Sequence, residues 1–349
     1  MEKLIRVLVV DDSAYIRKVV KQILQRSPFI EVVGTAGNGV EALEKVEELN
    51  PDVITLDLIM PEMNGVEFLR EQMKRKPIPV VISSIASETG EMALEALEAG
   101  AIDFIQKPTA LATEKVYEIA DEMIEKVKAA AEVPMEKIIS QVVGKENFPL
   151  SEARKAVIQT NFDILVIGVS TGGPQALRLI IPQIPKDFPI PVAIVLHMPV
   201  GYTELYAEKL NEISSLEVFE AQEGIEFKPG RVILAQAGKH LFISKNAKGS
   251  FIARLDLRPF DTPHRPAVDV LFKSAADNFG KRVLGVVLTG MGSDGRDGCL
   301  WIKSKGGKVI TESEETCVVY GMPRSVDEAK LSDKSVPLYN LVKTILEEI

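Results

Sequence analysis

Three short segments in the second half of this chain carry residue types that can together run acyl transfer at a serine. The first is Asp163-Ile164-Leu165-Val166-Ile167-Gly168-Val169-Ser170-Thr171-Gly172-Gly173, an apolar strand signal ending in a glycine-flanked serine, with a helical pattern from Pro174. Such a turn lifts a hydroxyl out at the carboxyl end of a strand, where open α/β sheets place their chemistry. Ser170 is therefore a candidate nucleophile. A serine nucleophile needs a base within hydrogen-bond reach and a group that orients the base. The chain has three histidines, His197, His240 and His264. His197 directly follows the strand signal Val192–Leu196, which in a parallel sheet puts it at the same edge as Ser170, on the neighbouring strand. His264 lies in a loop before a helix and is a second choice for the base, whereas His240 in its Gly-Lys-His turn reads as structural. The third segment, Leu288-Thr289-Gly290-Met291-Gly292-Ser293-Asp294-Gly295, places one carboxylate in a glycine-rich loop after a buried-type strand. Asp294 is the natural orienter of His197. The glycines let backbone N–H groups face an oxyanion, and losing one such donor costs ~2.7–4 kcal/mol of barrier stabilisation. A phosphate or nucleotide cradle is the rival reading, because both loops precede helices. Neither loop is a G-x-G-x-x-G or a P-loop lysine motif.

The first half carries a different set. Asp11 and Asp12 follow the first apolar run and Asp57 follows the third. Three carboxylates converging at one sheet edge suit a hard divalent cation such as Mg²⁺. Ser83 ends the fourth run, and Lys107-Pro108 follows the fifth, where a lysine can pair with a phosphoryl oxygen.

These side chains need elements to position them. Residues 1–130 alternate apolar runs (Arg6–Val10, Val32–Gly34, Val53–Leu56, Val80–Ile82, Asp103–Ile105) with amphipathic stretches such as Ala42, Leu43, Val46 and Leu49. Five such βα units predict a parallel sheet covered on both faces. Glu114 to Ala131 reads as a charged helix. Beyond it the chain turns polar and mixed, with some apolar periodicity over Met135 to Val142. The expected division is 1–125, a linker at 126–157, and 158–349. The second half alternates again. Strand signals fall at Asp163–Ile167, Val192–Leu196, Arg231–Leu234, Leu241–Ile243 and Val283–Leu288, and helix signals at Pro174–Ile181, Tyr202–Ile213, Val268–Asn278 and Tyr339–Glu348. The stretch Pro229–Ser244 suggests a mixed sheet edge with an antiparallel hairpin.

The bulk properties exclude several classes. The 349 residues, 46% of them hydrophobic, suffice for two ordinary domains. No apolar run reaches the ~18–20 residues of a membrane span, and the N-terminus lacks the apolar core of a signal peptide. Two cysteines, Cys299 and Cys317, make neither a disulfide framework nor a four-cysteine metal site, so reducing cytoplasm is expected. The net charge is −9, with about −8 of it before residue 158 and no Lys/Arg-rich recognition helix, which argues against nucleic acid as a partner.

The first half resembles the receiver domain of two-component response regulators. The resemblance rests on Val9-Val10-Asp11-Asp12-Ser13, Leu56-Asp57-Leu58 with Met60-Pro61, Asn64-Gly65, Ser83 and Lys107-Pro108. It implies that Asp57 accepts a phosphoryl group from a histidine kinase, that Asp11, Asp12 and Asp57 hold Mg²⁺, and that Ser83 and Lys107 contact the phosphoryl group. Phe104 takes the place of the family's switch aromatic. The second half resembles the catalytic domain of the chemotaxis protein-glutamate methylesterases. Here the matching segments are Gly168 to Pro174, Leu196-His197-Met198-Pro199, Pro263-His264-Arg265-Pro266-Ala267-Val268-Asp269 and Leu288 to Gly295.

Together the resemblances imply two doubly wound α/β domains: a five-stranded parallel, flavodoxin-like receiver and a Rossmann-like, mostly parallel catalytic sheet with an antiparallel hairpin. They imply a triad of Ser170, His197 and Asp294, with the Met291 amide in the oxyanion hole and Thr171 and His264 in support. The implied substrates are γ-glutamyl methyl esters on chemoreceptors, with glutamine deamidation in some members and no cofactor for the hydrolysis itself. The unphosphorylated receiver is expected to cover the entrance to the triad. Two rivals remain: a phospho-regulated hydrolase of another acyl group, and a non-enzymatic regulator with a binding domain. The order Ser170, His197, Asp294 differs from the serine–acid–histidine order of α/β-hydrolases. Ser170 also lies on the first strand of its half rather than midway through a longer sheet, so the elbow reads as convergent with that fold.

Overall fold

Val7–Val10, Val53–Leu56 and Val80–Ser84 are buried at every position, the burial expected of parallel strands covered on both faces. The computed structural model describes residues 4–107, 114–138, 160–259 and 261–349, apart from the side chains of 86–88 and 114–118. Pro108 and the linker stretch 139–157 lie outside the described residues. The chain forms two compact units, Met1–Val143 and Gly144–Ile349.

In the first unit, β1 (Ile5–Val10), β2 (Ile30–Ala36), β3 (Val53–Leu56), β4 (Val80–Ser84) and β5 (Asp103–Gln106) form one sheet in the order β2-β1-β3-β4-β5. Every pairing in it is parallel. The helices α1 (Ala14–Leu24), α2 (Gly39–Leu49), α3 (Gly65–Arg75), α4 (Ala86–Glu98) and α5 (Glu114–Glu132) alternate with the strands. Local chemistry sets the helix starts. Ser13 and Asn38 cap α1 and α2 with side-chain oxygens, and Asn64 with Glu67 forms a capping box on α3. The charged stretch from Glu114 is helical through Glu132, so the first seven residues of the expected linker belong to α5.

In the second unit, β6 (Ile164–Val169), β7 (Val192–Leu196), β8 (Glu217–Glu220), β9 (Arg231–Leu234), β12 (Val283–Val287), β13 (Lys308–Glu312) and β14 (Lys334–Val336) form a seven-stranded sheet in the order β14-β13-β12-β6-β7-β9-β8. All its pairings are parallel. Helices α6 (Gly173–Ile180), α7 (Thr203–Ile213), α8 (Val268–Phe279), α9 (Arg296–Ser304), α10 (Met322–Glu328) and α11 (Leu338–Glu348) lie in the connections and at the C-terminus. Two expectations change. The Pro229–Ser244 stretch does not make a mixed edge: β8 and β9 pair in parallel, and β10 (His240–Lys245) with β11 (Phe251–Asp256) forms a separate antiparallel sheet. The hairpin docks on α8 instead, where Ser274 Oγ accepts the Ile243 N–H at 2.6 Å and Asn278 donates to the Ile243 carbonyl at 2.8 Å. Ser170's strand, first in chain order, is the central one of seven. The chain winds outward through β7 and then returns to the other side of β6 with β12. The edge between β6 and β12 is thus a topological switch point, where open α/β sheets form their binding crevice.

Candidate active site

Register brings the nucleophile and base candidates together. β6 and β7 pair Val169 with Leu196, so Ser170 and His197 are the next residues on adjacent strands. The His197 N–H donates to the Val169 carbonyl at 3.1 Å, and the Ser170 N–H donates to the Thr289 carbonyl, beyond β12, at 3.0 Å. Ser170 is therefore tied to the strand ends on both sides. Its carbonyl accepts the Gly173 N–H at 2.7 Å, closing the turn into α6.

Asp294 completes the cluster. His197 Nε2 lies 2.8 Å from Asp294 Oδ2, with both side chains nearly buried. Oδ2 also accepts the Val268 N–H at 2.7 Å, and Oδ1 accepts the Asp269 N–H at 2.9 Å. The carboxylate thus caps the N-terminus of α8, where exposed N–H groups and the helix dipole favour negative charge. Burial pushes this carboxyl up. The His197 hydrogen bond and charge, together with the Asp269 and Val268 N–H groups, outweigh burial and hold it at about 2. In the neutral imidazole, a carboxylate at Nε2 makes that nitrogen the donor and leaves the lone pair on Nδ1. His197 Nδ1 is buried and makes no hydrogen bond among the described residues, so Ser170 Oγ does not touch it in this conformation. Apo catalytic pairs are commonly loose and tighten with substrate.

The remaining candidates surround this core. The exposed His264 ring stacks on His197, with centroids 4.2 Å apart and planes at 28°. Thr171 is buried, and its carbonyl accepts the Thr289 hydroxyl at 2.9 Å. The Met291 N–H has no intramolecular acceptor among the described residues and stands in the loop just past Gly290, whose missing side chain would sit 2.8 Å from Ser170 Cβ. His240 is fully buried. Its Nδ1 accepts the Ala267 N–H at 3.2 Å, and Nε2 lies 3.1 Å from the Pro259 carbonyl, so both nitrogens are occupied away from Ser170.

In the first unit, oxygens of Asp11, Asp12 and Asp57 all lie within 4.8 Å of one another at the carboxyl ends of β1 and β3. Lys107 Nζ lies 2.7 Å from Asp57 Oδ2 and 3.0 Å from Asp11 Oδ2. Burial raises the Asp57 carboxyl above its ordinary value, and Lys107 offsets this only in part. The Ser83 hydroxyl is buried, with no hydrogen-bond partner among the described residues. Phe104 is buried, under the Lys126 amine that bonds its carbonyl at 2.8 Å. An all-oxygen donor set of three carboxylates fits Mg²⁺.

A family model described as CheB methylesterase matches residues 165–345, the span that holds all three triad candidates. The chain belongs to the CheB methylesterase family. A response regulator receiver domain model matches residues 7–117. A CheB-family relative from Myxococcus xanthus (strain DK1622), named protein-glutamate methylesterase/protein-glutamine glutaminase 5, is 48% identical over 348 residues, covering 99% of this chain and 98% of its own. One from Thermotoga maritima, named protein-glutamate methylesterase/protein-glutamine glutaminase, is 42% identical over 348 residues, or 99% of each chain. The solved Thermotoga maritima CheB methylesterase catalytic domain is 42% identical with a TM-score of 0.52, covering 54% of this chain and 99% of that one. No described helix is long and apolar enough to cross a membrane.

The sequence reading of this CheB-family site missed two supports, one buried and one half-buried. Glu312, fully buried, accepts the Thr289 N–H at 2.9 Å, and so holds the peptide whose carbonyl receives the Ser170 N–H. Asp269 faces Asp294 across the α8 and α9 termini. In sequence, Glu312 ends an undetected strand and Asp269 is an ordinary first-turn acid. Neither signal names its partner.

Proposed function

We propose that this chain is a serine hydrolase that removes methyl groups from γ-glutamyl methyl esters on chemotaxis receptors, switched by phosphorylation of Asp57. One observation carries the hydrolase reading: Asp294, pinned by two helix N–H groups, holds Nε2 of the histidine that neighbours Ser170 across the β6–β7 register. His197 takes the Ser170 proton at Nδ1 as the hydroxyl attacks the ester carbonyl. Asp294 then stabilises the imidazolium. The tetrahedral oxyanion develops toward the Met291 N–H, with Thr171 and His264 shaping the site. Collapse breaks the bond to methoxide, His197 returns its proton to the departing methanol, and water hydrolyses the acyl-enzyme by the same path. A glutamine side chain enters the same sequence with ammonia as the leaving group, in keeping with the glutaminase half of the relatives' names.

Asp11, Asp12 and Asp57 would hold Mg²⁺, which when bound neutralises charge around an entering phosphoryl group. Lys107 and Ser83 stand ready to contact the phosphoryl oxygens, and Asp57 is the acceptor. A histidine kinase of the chemotaxis system is the donor. The test is methanol release from methylated receptor, with and without a small phosphodonor and Mg²⁺. Release that Ser170→Ala abolishes, and that phosphodonor raises, supports both parts. Undiminished release by Ser170→Ala would sink the nucleophile assignment.

A further inference from the structure

The carboxylate that orients His197 is itself held from both sides by one residue the mechanism does not use. Asp269 is the second residue of α8, and its N–H donates to Asp294 Oδ1 at 2.9 Å. Its side chain reaches back: Asp269 Oδ1 accepts the Gly295 N–H at 2.9 Å and the Gly298 N–H at 2.6 Å. Gly295 is the N-cap of α9 and directly follows Asp294. Asp294 therefore caps α8 while Asp269 caps α9, a reciprocal pair built from two helix N-termini. The arrangement has little slack. Gly295 sits at φ +98°, and an added Cβ there would lie 2.9 Å from Val268 Cγ1. At Gly298 a Cβ would lie 2.6 Å from Phe272 Cβ and 3.1 Å from Asp269 Cα, so the two helices nearly touch backbone to backbone.

We infer that Asp269 is a positioning residue of the triad: by fixing the Gly295 and Gly298 peptides it sets where Asp294, and through it His197 Nδ1, points at Ser170. The inference rests on the serine-hydrolase reading above. Without the Asp269 carboxylate, the Gly295 and Gly298 N–H groups lose their acceptor, and the turn carrying Asp294 loses its tie to the α8 side chain while Asp294 keeps its own bonds to the Val268 and Asp269 N–H groups and to His197. A displacement of about 1 Å in a catalytic group can cost on the order of 10²-fold in rate.

The experiment measures methanol release from methylated receptor by the full chain and four variants: Asp269→Ala, Asp269→Asn, Asp294→Asn and the double variant Asp269→Ala with Asp294→Asn. Asp269→Ala should lower kcat by about 30–100-fold with KM within about twofold, because positioning acts on the transition state. Asp269→Asn keeps an acceptor oxygen for both N–H groups and should recover kcat to within about threefold of wild type. The double variant should fall no further than Asp294→Asn alone, since Asp269 acts through Asp294. A folded Asp269→Ala with wild-type kcat overturns the inference, as do additive losses in the double variant. Should Asp269→Ala fail to fold, Asp269→Asn decides. Near-normal kcat with the Gly295 and Gly298 amides still slow to exchange supports the inference, and a loss above tenfold with both amides still protected overturns it. A wild-type enzyme that releases no methanol sinks the activity reading instead, so the two failures are distinguishable.

Discussion

At the residue scale, the proposed site divides into groups assigned to the chemistry and groups that hold them in place. Ser170→Ala should lower methanol release by 10⁴-fold or more, leaving only what binding and oxyanion donors supply. Asp294→Asn should cost about 10⁴-fold, because an amide facing Nε2 favours the tautomer with its proton on Nδ1, where the lone pair is needed. The two facing carboxylates also respond to pH in opposite senses. Asp294 is held at about 2, below its unfolded value, so its stabilisation is complete above roughly pH 4 and is lost as pH falls through about 2. Asp269 is pushed up to about 6 by burial, and by the Asp294 charge against the pull of the Gly298 N–H. Its contribution is fullest below roughly pH 4 and is lost as pH rises through about 6. Asp269→Asn should therefore gain stability relative to wild type between pH 5 and pH 8. Trp301, the one tryptophan, lies on α9 and reports urea unfolding of the second unit alone. An unchanged difference between those pH values would contradict the expectation.

At the element scale, strand register does the positioning. Ser170 and His197 meet because β6 and β7 pair Val169 with Leu196, and Asp294 joins them because β12 returns on the other flank of β6. The α8 helix then lies directly on the nucleophile's strand. At Gly168, two residues before Ser170, an added Cβ would fall 2.2 Å from Val268 Cγ1. Val268 is also the residue whose N–H holds Asp294 Oδ2. Gly168→Ala should thus act twice, costing ~1–3 kcal/mol by overpacking and lowering kcat by roughly tenfold as the α8 terminus shifts. Urea unfolding followed at Trp301 and methanol release measure the two effects separately. A stability loss with unchanged kcat would show that α8 does not transmit the shift to Asp294.

At the scale of the whole molecule, the chain holds two α/β units, one carrying a cluster of three carboxylates, two of them buried, and the other carrying the candidate serine. Burial raises Asp57 above its ordinary value while Lys107 bridges it to Asp11. A phosphoryl group arriving there adds about −2 charge and competes for that lysine. Asp57→Asn should leave basal methanol release within about twofold and abolish its rise with phosphodonor and Mg²⁺. Chelation of Mg²⁺ in the wild type should abolish the same rise. A rate in Asp57→Asn that still climbs with phosphodonor would remove Asp57 as the switch.

Much of this was legible in the chain itself. The apolar runs and their following Asp, Ser, His and Lys residues are local patterns, and a parallel strand buried on both faces has to be apolar throughout. The residues at its carboxyl end then inherit a shared edge, so Ser170, His197 and Asp294 could be named from type and position. Strands such as Glu217–Glu220 and Lys334–Val336, short and bounded by charge, gave no comparable signal. Only the folded chain decided that β6 is the central strand, that the β10–β11 hairpin docks on α8 rather than on the sheet edge, and that Asp269 faces Asp294. Each depends on contacts between residues far apart in sequence, and periodicity carries no information about which distant helix terminus a carboxylate will cap. The sequence by itself supplied the candidates for the chemistry, Ser170, His197 and Asp294. The tertiary structure determined what holds Asp294 in place and keeps it charged, because burial and opposed helix ends exist only after folding.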